Sequence, residues 1–244
     1  MRFRIITYNI HKGIGGIDRH YRLERIIETI AHYSPDIVLL QEVDDGVPRS
    51  RHDRQVEILA EALGFPHHAY QRNVHLKKGH YGNAVLSRYP LRHTGHVDLS
   101  VPMKKRRQAL VTRCLLSVEG HQRTAIITNV HLGLSSIERR IQLRRLLSHV
   151  LLTRHERHTP ILVGGDFNDV WNNLGKRVMY PAGYSSAGRM IRTFPARMPM
   201  RPLDHIFVRG TLSVENAYAG HTRLATAASD HLPLVAEVRV ELRR

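Results

Sequence analysis

Apolar positions in this chain fall into short β-branched runs, and each run ends in a small polar cluster. Arg4-Ile5-Ile6-Thr7 leads into Tyr8-Asn9, and Asp36-Ile37-Val38-Leu39-Leu40 into Gln41-Glu42. Thr124 to Thr128 leads into Asn129-Val130-His131, and Pro160 to Val163 into Gly164-Gly165-Asp166-Phe167-Asn168. Runs of this kind, bounded by turn residues, predict buried strands. Further strands are predicted over 82–89, 108–117, 203–209 and 232–240, the last following Ser229-Asp230-His231. Helical spacing of apolar residues appears at 21–33 through Leu23, Ile26, Ile27 and Ile30. It recurs at 53–63, stopped by Gly64, and at 137–152, while 170–200 reads as loop-rich. Helices alternate with strands early and strands dominate later. That order suits an α/β (α+β) layered sandwich better than a doubly wound sheet. The runs are evenly spread with no long linker, so one domain over 1–244 is expected.

Composition narrows the chemistry. The chain of 244 residues carries 37 Lys+Arg against 21 Asp+Glu, a formal net charge of +16. That surplus favours a polyanionic partner, either nucleic acid or an anionic membrane face. The single cysteine, Cys114, excludes a disulfide framework and a cysteine-rich zinc site, and its strand-like surroundings predict a buried, inert thiol. No apolar stretch approaches the roughly 18 residues of a membrane span. No signal-type segment precedes the first strand-like run, so a cytoplasmic location is the default expectation. Lys104-Lys105-Arg106-Arg107 forms a basic loop, whereas Arg139, Arg140, Arg144 and Arg145 are expected to form a solvated helix face. Aromatic residues are few, and a base-stacking platform is not evident; the lone Trp171 is expected to pack.

The polar clusters carry the candidate chemistry. Glu42 ends a buried-type strand, where a carboxylate either caps a turn or faces a cation. Asp166 and Asn168 lie two apart, so in extended backbone they share a face and either serve one ligand or form an Asx-turn. His231 needs an acceptor on its second ring nitrogen to work near neutral pH, and Asp204 is the candidate; His205 would then face solvent. His131 is another strand-end imidazole. Asn83 either donates to an anion or forms a turn. Gly-x-Ser-x-Gly, Gly-x-x-x-x-Gly-Lys and Gly-x-Gly-x-x-Gly are all absent. Oxygen ligands with few carboxylates suit Mg²⁺ or Mn²⁺, and the implied reaction is water attacking phosphorus, with the metal and two imidazoles offsetting the developing charge.

In order, Thr7-Tyr8-Asn9-Ile10-His11-Lys12-Gly13, Leu40-Gln41-Glu42-Val43, Gly82 to Ser87, Asn129 to Gly133, Gly165-Asp166-Phe167-Asn168, Leu203-Asp204-His205-Ile206 and Ser229 to Pro233 resemble the motifs of the endonuclease/exonuclease/phosphatase (deoxyribonuclease I-like) superfamily. The wording is closest to a bacterial branch often called YbhP-like. The resemblance implies a four-layer sandwich of two packed, mostly antiparallel sheets with helices outside. It implies a divalent metal held mainly by Glu42, with Asn9 and Asp230 close by. Asp166 would hold or activate water, Asn168 would contact the phosphate and Asn83 would line its pocket. His231 would pair with Asp204. His131 matches the deoxyribonuclease I and sphingomyelinase branches rather than the abasic-site branch. The expected protein is a monomeric metal-dependent phosphodiesterase acting on nucleic acid, DNA ahead of RNA. An anionic phospholipid or phosphoinositide headgroup is the alternative substrate. A noncatalytic nucleic-acid-binding module is a third reading, against which the acid, amide and imidazole set argues.

Overall fold

A computed structural model describes residues 2–118, 120–188 and 190–241. The chain runs β1 (Arg2–Asn9), α1 (Leu23–Tyr33), β2 (Ile37–Asp45), α2 (Gln55–Ala62), β3 (His67–His75), β4 (His80–Ser87), β5 (Leu91–Asp98), β6 (Gln108–Val118) and β7 (His121–His131). It continues through α3 (Ser136–Ser148), α4 (Val150–Thr153), β8 (Ile161–Asp166), β9 (Ser185–Ser186), β10 (Asp204–Arg209), β11 (Leu212–Ala219), α5 (Arg223–Ala228) and β12 (Leu234–Val240). The strands form two six-stranded sheets, ordered β11-β12-β1-β2-β4-β3 and β5-β6-β7-β8-β10-β9. Pairing is antiparallel except for β1 with β2 and β7 with β8.

Alternation along the central strands builds the layers. Ile5, Leu39, Ile127, Leu162 and Ile206 point between the sheets and share one core. Their chain neighbours point outward. Ile6, Val38 and Leu40 meet Ile26, Ile30 and Leu59 of α1 and α2, whereas Val163 and Phe207 meet Leu143 and Leu146 of α3. Central strands that are apolar on both faces can be covered only by a second sheet on one side and helices on the other. This is the expected four-layer sandwich. Among the described residues no helix is long and apolar enough to cross a membrane.

Several local readings change. The helix expected over 137–152 breaks at His149, whose backbone is extended and whose Nδ1 accepts from the Leu151 amide, starting α4. The strand expected over 36–40 continues to Asp45 because a bulge lies between Leu40 and Val43. Strands β3, β5 and β11 and helix α5 give weak patterns in sequence; β3 and β11 are only half-covered, so polar residues interrupt their alternation. Cys114 is buried on β6 as expected, and burial pushes its thiol up to about 12.

Candidate active site

The parallel pairs place strand ends side by side. The β1–β2 pairing ends at Asn9 and Gln41, that of β7 and β8 at His131 and Asp166, and antiparallel β10 begins with Asp204 opposite Asp166. Gly165 lets β7 and β8 approach: its φ is +142°, and a Cβ there would stand 1.9 Å from the Val130 carbonyl oxygen. The Asn9 amide bridges the sheets, donating from Nδ2 to Asp166 Oδ2 at 3.1 Å. Below it lies a buried polar clamp. Gln41 Nε2 donates to Asn129 Oδ1 at 2.8 Å, and Asn129 Nδ2 donates to the carbonyls of Leu40 and Ala84, each at 2.8 Å.

Asp166 is the hub. It accepts from the Asn168 amide through Oδ1 at 2.9 Å, while Oδ2 lies 3.4 Å from His131 Nε2 and 3.9 Å from His231 Nε2. Burial pushes its carboxyl up to about 6 against the opposing pull of His231. His231 Nδ1 donates to Asp204 Oδ2 at 2.8 Å, and Thr193 Oγ1 donates to the same oxygen at 2.5 Å. Burial alone would depress this imidazole; the Asp204 carboxylate outweighs it and holds the ring protonated well above the usual histidine range. His131 is instead held neutral, first by burial and then by the Arg107 cation. Ser229 fixes the His231 segment to β1, donating to the Asn9 carbonyl at 2.7 Å and accepting from the His231 amide at 3.2 Å.

Glu42 sits on the β2 bulge with φ +58°, a left-handed conformation rare for a side-chain-bearing residue. Its carboxylate pairs with Lys12 Nζ and receives the Tyr81 hydroxyl at 3.5 Å. Burial would raise it, yet nearby cations hold it below the usual carboxylate range. With His131 neutral, the Lys12 ammonium is the charge that matters. This is a carboxylate kept ionised and turned toward a cation. Asn9 Oδ1 accepts only the His11 amide among the described contacts, which leaves it lone-pair capacity, and the half-exposed Asp230 carboxylate lies 4.0 Å from His11. Glu42, Asn9 and Asp230 each offer hard oxygen of the kind Mg²⁺ or Mn²⁺ takes while keeping waters; no described contact joins the three directly. Asp166, Asp204 and His231 also bring ligand atoms within 4.8 Å of one another. Within that trio the Nδ1 nitrogen of His231 is already occupied by Asp204.

Other expectations shift. Asn168 is drawn to the hub, but its Nδ2 donates to the Leu132 carbonyl at 2.9 Å and its φ is +49°, so it turns the chain as well as facing the site. Asn83 is buried, gives its amide to the Gln108 carbonyl at 3.4 Å, and makes no described hydrogen bond to the Asp166 group. His205 does not face solvent; it is buried in edge contact with Phe167, because β10 is covered on both faces. Arg139 is buried rather than solvated, its guanidinium bonding the Leu134 carbonyl at 2.5 Å. Trp171 does not pack: it is 77% exposed. Lys12, Tyr81, Arg107, Asn129 and Thr193 are site or supporting residues that sequence reasoning did not assign. Lys12 and Asn129 stand inside the quoted motifs, whereas Thr193 lies in irregular chain that offers no periodic signal.

Comparison with known proteins agrees with this architecture. A family model described as the Endonuclease/Exonuclease/phosphatase family matches residues 6–231. The uncharacterized protein YbhP of Escherichia coli (strain K12) is 34% identical over 253 aligned positions, spanning 98% of this chain and 96% of that one. An endonuclease/exonuclease/phosphatase structure from Beutenbergia cavernae DSM 12333 superposes with a TM-score of 0.79 at 22% identity, covering 98% of this chain and 72% of that chain. The 2′,3′-cyclic phosphatase ANGEL2, in complex with adenosine-2′,3′-vanadate, superposes with a TM-score of 0.73 at 18% identity over 99% of this chain and 96% of its own. With the family model spanning both the first strand-end motif and the last, this chain belongs to the endonuclease/exonuclease/phosphatase family.

Proposed function

We propose that the protein is a divalent-metal-dependent phosphodiesterase that directs water onto phosphorus. The observation that carries this reading is the geometry of Asp204, His231 and Asp166: His231 Nδ1 stands 2.8 Å from Asp204 Oδ2 and its Nε2 3.9 Å from the buried Asp166 carboxylate. Asp166 orients the attacking water and accepts its proton as the new P–O bond forms and the P–O bond to the leaving group breaks, the departing alkoxide taking its proton from solvent; a raised carboxyl is a better base than an ordinary one. The His231 imidazolium, oriented through Nδ1 by Asp204, donates from Nε2 to a non-bridging phosphate oxygen as charge builds there. His131, neutral, donates a second hydrogen bond, and Asn168 keeps Asp166 in place. Glu42, Asn9 and Asp230 would hold the cation, which when bound supplies Lewis-acid stabilisation of the phosphate.

For the substrate, the charge of +16 supports a polyanion. Nucleic acid, DNA ahead of RNA, fits that charge. A lipid headgroup fits the charge equally, and the exposed apolar residues around the site favour it. The test of the core reading is hydrolysis of bis(p-nitrophenyl) phosphate and nicking of plasmid DNA with Mg²⁺ or Mn²⁺, each with an EDTA control. His231→Ala is expected to abolish turnover with an unchanged circular dichroism spectrum. Hydrolysis that survives EDTA or His231→Ala would overturn the reading.

A further inference from the structure

Six of the exposed large apolar side chains sit on loops that join the strand ends of the candidate site. Ile17 follows the Asn9 end of β1, Leu134 follows His131, Trp171 follows Asn168, and Met198 and Met200 precede Asp204. Met103 tips the loop between β5 and β6, which carries Lys105 to 5.3 Å from the ring of Tyr81, the partner of Glu42. Loops from five different strand connections thus each raise an apolar tip beside a group of the candidate site. Trp171 and Leu134 are 77% exposed and Met103 is fully so. Folding gives no return for these positions, and a water-facing apolar fringe of this kind marks a binding surface.

The same loops are basic. Residues 14–20, 99–107, 132–135, 170–177 and 190–201 hold ten Lys and Arg but one acid, Asp18, which is already paired with Arg25 at 2.7 Å. Beside Trp171 a hollow of about 650 Å³ is lined by Lys176, Tyr180, Met190 and Phe207, again apolar surface with a cation at its edge. A fringe of Leu, Ile, Met and Trp among cations fits an anionic lipid interface, where apolar side chains enter the headgroup–acyl boundary and Lys and Arg meet lipid charge. A single nucleic-acid strand calls for flat aromatic platforms, which Met and Leu do not supply. The reach also fits. Trp171 is three residues beyond Asn168 and Leu134 three beyond His131, a span of at most about 10 Å. Apolar groups of interfacial segments sink about 5–10 Å, which would leave the strand ends level with headgroup phosphates.

We propose that this rim docks the protein on an anionic phospholipid surface and delivers a headgroup phosphodiester to Asp166 and His231. The headgroup part rests on the phosphodiesterase reading above; the docking part does not. Trp171 is the single tryptophan of the chain, so its fluorescence reports the rim alone. With phosphatidylcholine vesicles containing phosphatidylglycerol, its emission is expected to shift to the blue, to be quenched by acyl-brominated lipid, and to lose that response in high salt. The double variant Met103→Ser/Leu134→Ser is expected to bind these vesicles at least tenfold more weakly while hydrolysing bis(p-nitrophenyl) phosphate at the parent rate. No quenching by brominated lipid, or equal response to pure phosphatidylcholine, would overturn the docking. Quenching by single-stranded DNA without any vesicle response would also overturn it, in favour of a nucleic-acid surface. Docking with release of a soluble headgroup from phosphatidylglycerol supports the whole proposal; docking with bis(p-nitrophenyl) phosphate hydrolysis but no headgroup release overturns the substrate assignment. Docking without hydrolysis of either substrate overturns the phosphodiesterase reading and leaves the interface standing.

Discussion

Replacing Asn129 with leucine tests how the polar clamp supports the site. The side chain is fully buried and makes three hydrogen bonds, accepting from Gln41 and donating to the carbonyls of Leu40 and Ala84. Those two residues are opposite each other in the last regular pair before the β2–β4 ladder slips to form the Glu42 bulge. Leucine keeps the branched outline and is the larger residue, so the change removes polar partners without opening a cavity. Each of the three groups left behind is deprived of a bond with a net value of about 1–1.5 kcal/mol, giving a loss of about 3–5 kcal/mol. Against a total stability of about 5–15 kcal/mol, that is a large fraction. In urea, with a slope of about 3 kcal/mol per molar, the midpoint should fall by about 1–1.7 M. Asn129→Asp should be worse, since a carboxylate can still accept from Gln41 but turns negative charge toward two carbonyls. A fall of under about 1 kcal/mol for Asn129→Leu would refute the reasoning, because it would mean that the two carbonyls have other partners and that the bulge stands without the clamp.

Glu42→Gln keeps the side chain's shape and removes its charge; the half-saturating Mg²⁺ or Mn²⁺ concentration should rise at least tenfold, and an unchanged titration would remove Glu42 from the ligand set. Thr193→Val removes the 2.5 Å bond to Asp204. A bond to a charged acceptor contributes about 1.5–3 kcal/mol, so kcat should drop about tenfold to a hundredfold with little change in KM, and Thr193→Ser should restore it. His205 is kept neutral by burial, so its imidazole lies below the usual range in the folded state. The unfolded chain therefore takes up a proton near pH 6.5 that the folded chain refuses. Its contribution to stability is present above that pH and is lost as pH falls. His205→Phe should flatten the acid limb of a stability–pH profile between about pH 7 and 5; an unaltered limb would assign that loss to other groups.

Much of this molecule is legible in its letters. The strands that carry Asn9, Glu42, His131, Asp166 and Asp204 are continuous apolar runs because both of their faces are covered, and burial on both faces leaves little freedom of composition. Their polar ends stand out against that background. The order of the helices and strands then restricts the architecture to few choices. The edge and half-covered elements were less readable, since residues facing water obey no strong pattern.

The sequence by itself determined which residue types the site can draw on: hard-oxygen ligands, a His–Asp pair and a surplus of cations. Tertiary structure alone decided how they work. The protonation of His231 and the neutrality of His131 depend on which charges stand a few ångströms away and on how much water is excluded, and both are properties of assembled space. The outward turn of Glu42 depends on a bulge whose carbonyls are bonded from the other sheet. Likewise, His205 and Arg139 are inside and Trp171 outside because burial follows from which layer lies over a position, a fact written between distant segments and in none of them singly.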